Sequence, residues 1–278
     1  MKNHKSSHQL WQFFLATFLF SWFLWLPGIL ITYKLIGPSP TLNSMSNVLK
    51  WIGGIGPSLV ALFLIIRDEG KKGVKKIFNR VIAFKLGYWY LPVFLIIPIS
   101  VVAAHLLNIL FFDASFPQSS LLLEYWWIPF VFLIFVVMQF SEELGWRGYA
   151  LDRLQKRWNA VFSSLLLGVI WAFWHLPMFF IIGFGQYDNQ IPYGHFFITI
   201  VLVSVLITWL QNNTKGSLVP AFILHAMINL TGEVLPLAKK NELGQIDATP
   251  WIICNLLLFL IVIVVIRFWG YKKLVRFN

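Results

Sequence analysis

Apolar residues run through this chain in blocks long enough to cross a bilayer, separated by short polar links. The blocks fall near residues 10–32, 51–66, 88–111, 121–145, 160–182, 195–211, 217–236 and 251–269. A helix needs about 20 apolar residues to span the hydrocarbon core. The pattern therefore predicts an all-α polytopic membrane protein of eight spans, in one domain over residues 1–278. Block 51–66 is short and holds Gly53, Gly54, Gly56 and Pro57, so it is expected to bend or to bury against its neighbours. After it, Val74, Ile77, Phe78, Val81 and Ile82 recur at helical spacing, with Lys75, Lys76, Arg80 and Lys85 between and after them. That is the pattern of an interfacial amphipathic helix resting on anionic headgroups. The start of the chain has the basic flank of a signal peptide, but its apolar stretch is too long and lacks a small-x-small cleavage site. It is read as an uncleaved first span.

Composition agrees. The chain is 58% hydrophobic and 12% charged, against roughly half apolar and a quarter charged for soluble domains. Its 14 Trp and 8 Tyr suit membrane interfaces. A net charge of +11 could signal nucleic acid, but the charges are distributed by link. With the N-terminus in the cytoplasm, all of the 22 Lys and Arg except Lys34, Lys50, Lys239 and Lys240 fall on the cytoplasmic side. This obeys the positive-inside rule. It predicts two cytoplasmic termini, a multi-pass protein of a bacterial plasma membrane, lipids as partners and no nucleic acid. A single cysteine, Cys254, permits no intrachain disulfide. Oligomeric state is not legible.

Three blocks carry polar groups where they are expensive. Block 121–145 ends in Glu142 and Glu143, followed by Arg147. Block 160–182 carries Trp171 and His175. Block 217–236 carries His225 and Asn229. Ionisable groups at membrane depth mark function by default. Glu143 and Arg147 are four apart with the acid first, the favourable order for a same-face ion pair. Glu142 is rotated by about 100° from Glu143 and is expected to point into a pocket instead. Glu142 and His175 lie at similar distances on either side of the turn near Arg157-Trp158-Asn159, so an antiparallel hairpin brings them to one depth. His225 and Asn229 share a face on the third block.

These groups suit hydrolysis. A carboxylate in a low-dielectric site can act as a general base, His175 can share its water, and His225 and Asn229 can donate to a developing oxyanion. Two His and one Glu also suit zinc, so Glu142, His175 and His225 form an alternative metal set with one position left for water. Residue types alone do not separate the two. His105, Asn108 and His195 have no evident partners, and Glu124 and Asp113 fall near the outer surface. A non-enzymatic membrane scaffold is the competing class. A transporter ranks lower because no paired repeat with interrupted helices is evident.

At these residues the chain resembles the CAAX protease and bacteriocin-processing family, whose pattern is Glu-Glu-x-x-x-Arg, aromatic-x-x-x-His and His-x-x-x-Asn or Asp. Here these read Glu142-Glu143-Leu-Gly-Trp-Arg147, Trp171-Ala-Phe-Trp-His175 and His225-Ala-Met-Ile-Asn229. The second motif often begins with Phe where this chain has Trp171. The resemblance covers about residues 120–235. It implies an eight-helix intramembrane endopeptidase acting on a CAAX-type or related membrane-associated peptide. Glu142 and His175 would activate water, with His225 and Asn229 on the oxyanion. Members of the family are also described as metalloproteases, and others are linked to self-immunity against bacteriocins.

Overall fold

The computed structural model describes residues 2–37, 39–117, 119, 124–240 and 245–276, with the backbone alone for residues 2–8, 239 and 240. The long helices are α1 (Lys2–Thr32), α2 (Pro40–Gly54), α3 (Gly56–Val81), α4 (Tyr90–Phe112), α5 (Ile128–Gly145), α6 (Ala160–Trp174), α7 (Tyr193–Asn213), α8 (Val219–Val234) and α9 (Thr249–Trp269). One two-residue antiparallel ladder, Lys239–Lys240 with Ile246–Asp247, joins α8 to α9. The protein is an all-α polytopic membrane protein.

The helix lengths do not by themselves reach the expected count of eight spans. Among the described residues six helical stretches are long and apolar enough to cross a membrane, or seven if the bent pair α2–α3 counts as one. The expected block 51–66 straddles that bend, which measures 50°. Gly53, Gly54, Gly56 and Pro57 supply its cause, and α1 compensates for it. Ser21 Oγ donates to the Gly53 carbonyl at 2.8 Å and Trp25 Nε1 to the Lys50 carbonyl at 3.0 Å. A break at membrane depth is tolerated when neighbouring side chains satisfy the freed backbone. Block 217–236 is α8, only 16 residues long. At 1.5 Å per residue it reaches about 24 Å, short of a roughly 30 Å hydrocarbon core. Its first eight residues, Val219–Ala226, are all buried, so it is held by protein rather than by lipid. Residues 121–123, at the start of block 121–145, lie outside the described residues.

Helix α7 is the centre of the molecule: every residue from Leu202 to Gln211 is buried, as expected for a helix enclosed on all sides. It packs along α6 through small residues. A Cβ on Gly168 would lie 2.9 Å from the Val201 Cα, and Ser204 Oγ donates to the Ser164 carbonyl at 2.9 Å. Without a hydrophobic drive between helices in lipid, such close backbone approach is what joins them.

Basic segments converge at one end of the bundle. Arg80 Nε donates to the Gly216 carbonyl at 2.6 Å, and its guanidinium pairs with Asp152 at 2.6 Å. The C-terminal tail caps α6 through Ala160 N–H to the Lys272 carbonyl at 2.8 Å, and Asn212 Nδ2 donates to the Lys273 carbonyl at 2.8 Å. The amphipathic segment is the second half of α3, redirected by Gly70 at φ +59°. Lys71, Lys72, Lys75 and Lys76 face outward with Phe78 and Ile82. Arg80, expected on the headgroup side, instead turns inward as the clamp just described.

One contact fixes the end of α5. Gly145 lies against the backbone of Pro57, whose carbonyl group occupies the place a Cβ would take. Gly145→Ala gains up to about 1 kcal/mol in helix propensity, but the collision is with backbone that cannot rotate away. Overpacking of this kind costs about 1–3 kcal/mol. The variant is expected to melt below wild type in detergent, checked by thermal denaturation.

Candidate active site

Helix α5 ends beneath two carboxylates and passes into a six-residue π-helical segment, Trp146–Leu151. The Trp146 N–H is shared between the Glu142 and Glu143 carbonyls. Single π turns inside helices often accompany functional sites. Here the segment carries Arg147, with Glu142 and Glu143 just before it.

The two carboxylates have different partners. Glu143 is fully buried, as is Arg147, and Arg147 Nη1 donates to Glu143 Oε1 at 2.8 Å. The same Oε1 lies 2.8 Å from His225 Nδ1 on α8. A carboxylate only accepts, so His225 carries its proton on Nδ1. Glu142 keeps 15% of its side chain exposed. Its Oε2 accepts from Trp171 Nε1 at 2.8 Å and stands 3.8 Å from His175 Nε2. His175 closes the C-terminus of α6, with Nδ1 2.9 Å from the Trp171 carbonyl. That oxygen also only accepts, so Nδ1 is the protonated nitrogen there too.

Trp171 sits between the two pairs. The Arg147 guanidinium lies 4.1 Å from the centroid of its ring, and the His225 ring meets it edge-on at 5.0 Å. Behind the cluster, Gln211 on α7 donates to the Arg147 carbonyl at 3.3 Å.

Glu142, Glu143, Arg147, His175 and His225 are thus brought together from α5 and its π extension, the end of α6, and α8. Asn229 is one turn beyond His225, half-buried, and makes no hydrogen bond with the others. No group of three His, Cys, Asp or Glu side chains among the described residues converges closely enough to hold a metal ion. In the alternative zinc set of Glu142, His175 and His225, His225 Nδ1 is bonded to Glu143, while His175 Nε2 faces Glu142. Three features had not been anticipated: the Trp171 donor to Glu142, the tie between Glu143 and His225, and Gln211. A polar Gln inside the apolar stretch 195–213 was a usable signal for the last. The π segment has no marker in the sequence.

Ionisable side chains gathered at membrane depth around a partly accessible carboxylate define a polytopic membrane protein with a candidate hydrolytic centre. A sequence model described as type II CAAX prenyl endopeptidase Rce1-like matches residues 124–231, which contain all three motifs. The chain is 31% identical over 245 residues to the CAAX prenyl protease 2 of Methanococcus maripaludis, covering 83% of this chain and 86% of that protein. It is 25% identical over 150 residues to the lysostaphin resistance protein A of Staphylococcus haemolyticus, covering 52% of this chain and 38% of that protein. The chain belongs to the Rce1-like family of type II CAAX prenyl endopeptidases.

Proposed function

We propose that this chain is an intramembrane endopeptidase that hydrolyses a peptide bond with a water activated by Glu142 and His175. The observation that carries the reading is the 3.8 Å between Glu142 Oε2 and His175 Nε2. On a neutral ring with its proton on Nδ1, Nε2 is an acceptor, and so is an ionised carboxylate. Two acceptors at that distance cannot bond each other. A water donating one O–H to each satisfies both and leaves its oxygen free to attack. As the water oxygen bonds to the peptide carbon, Glu142 takes one of its protons. The same proton then passes to the departing nitrogen as the C–N bond breaks. The half-buried Asn229 amide is the candidate donor to the oxyanion. Since His225 Nδ1 already serves Glu143, donation from its Nε2 requires the doubly protonated ring.

Several observations support the finer reading. The asymmetry of Lys and Arg favours cytoplasmic termini, with substrate entering from that side. The relative named CAAX prenyl protease 2 favours a lipidated peptide, one carrying a prenyl group on a Cys near its C-terminus. Purified protein in detergent, given one peptide library in farnesylated and unprenylated forms, is expected to cut the farnesylated form faster. Failure to cut either removes the reading. Elemental analysis of the active protein is expected to find no stoichiometric metal. Activity lost to a chelator and restored by zinc would instead place the ion on Glu142, His175 and His225. The similarity to lysostaphin resistance protein A favours one competing reading, a non-enzymatic immunity or scaffold role. Cellular protection that survives Glu142→Ala at equal expression would identify it.

A further inference from the structure

We infer that Trp171 is a positioning residue of the reaction: its indole N–H sets the orientation of the Glu142 carboxylate, while its ring holds Arg147 to Glu143. This rests on the water-activating reading of Glu142 and His175. A glutamate carboxylate has several rotamers and two equivalent oxygens, so a base must be held to be useful. Glu142 is partly exposed, and the donor on its Oε2 is Trp171 Nε1 at 2.8 Å. That bond holds the same oxygen at 3.8 Å from His175 Nε2. The backbone carbonyl of Trp171 also fixes the tautomer of His175, through Nδ1 at 2.9 Å. One residue therefore orients both sides of the proposed water.

The ring does a second job. The Arg147 guanidinium carbon lies over it, 4.1 Å from the ring centroid. That cation–π contact holds the guanidinium against the ring face, while its Nη1 donates to Glu143 Oε1 at 2.8 Å. Without that face, Arg147 is free to turn towards the neighbouring Glu142. A base held in an ion pair is a poorer acceptor for the proton of water. Trp171 is fully buried, so solvent does not compete for its indole N–H or its ring face.

The two jobs separate by substitution. Trp171→Phe keeps a ring over Arg147 and loses the N–H; Trp171→Ala loses both. With a farnesylated peptide ending Cys-aliphatic-aliphatic-X as probe, kcat of Trp171→Phe is expected to fall about tenfold to a hundredfold, the usual range for a hydrogen bond to a charged group. KM should stay within about twofold, because the lost bond is not to substrate. Trp171→Ala should fall further. Independently of any substrate, melting shifts of Trp171→Phe and Glu142→Ala, each of which removes the bond, are expected to be non-additive in the double variant, since the two groups touch. Wild-type kcat in Trp171→Phe, a loss confined to KM, or additive melting shifts would overturn the inference while leaving the water-activating reading intact. Wild-type rates in Glu142→Gln, or a wild-type protein that cuts no peptide, would overturn both.

Discussion

Glu142→Gln is expected to give a folded membrane protein that hydrolyses its peptide about a thousandfold more slowly than wild type, within the range that a positioned general base supplies. The substitution is nearly isosteric. The amide oxygen can still accept from Trp171 Nε1, so the local packing has little reason to change. What disappears is the ability to take a proton from water. Because Glu142 keeps part of its side chain accessible and, among the described residues, has no ion-pair partner closer than His175 at 3.8 Å, little stability should be lost. The checks are a melting curve close to wild type and a kcat lowered with KM nearly unchanged. A Glu142→Gln enzyme that turns over at the wild-type rate would remove the assigned base.

Glu143→Gln should act in the opposite sense, on the fold rather than the chemistry. Its carboxylate is fully buried between Arg147 Nη1 and His225 Nδ1, each at 2.8 Å. Neutralising it leaves the Arg147 guanidinium charged, enclosed and uncompensated. Removing one partner of a buried pair costs about 3–5 kcal/mol, against a total stability of order 5–15 kcal/mol. The expected result is a low yield of monodisperse protein and a sharply lowered melting temperature. Any folded fraction should retain more activity than Glu142→Gln does. A well-folded but inactive Glu143→Gln beside an active Glu142→Gln would exchange the roles of the two acids.

Helix periodicity explains why these acids could be told apart in the sequence. Glu143 and Arg147 are four residues apart, and the structure pairs them; Glu142 points elsewhere, towards α6. The meeting of Glu142 with His175 was legible for a similar reason, because equal distances from one tight turn fix equal depth. What the sequence could not convey was which partner a side chain prefers once three helices converge. His225 was placed on the oxyanion by its residue type, yet the structure ties its Nδ1 to Glu143. Trp171 gives no sign of its role in the sequence, since aromatic residues on membrane helices usually pack. Its hydrogen bond depends on the rotation of α6 against α5, which no local pattern encodes. The bend at Gly54 to Pro57 was visible in composition. The short reach of α8 was not, because the apolar run continues beyond the helix that forms.

The π segment also governs how the chain tolerates changes in length. A π turn accommodates one more residue than an α turn. A single-residue deletion within Trp146–Leu151 is therefore absorbed by reversion to α geometry, which keeps the helix beyond in phase with the two carboxylates, whereas a further insertion has no such slack and turns everything downstream by about 100°. Asp152 would then leave Arg80 and Arg153 would leave Glu69, which the intact register holds at 2.6 and 2.8 Å. A one-residue insertion here is therefore a larger perturbation than most point substitutions nearby, because it rotates the brace formed by Asp152 and Arg153 out of phase with the carboxylates it supports.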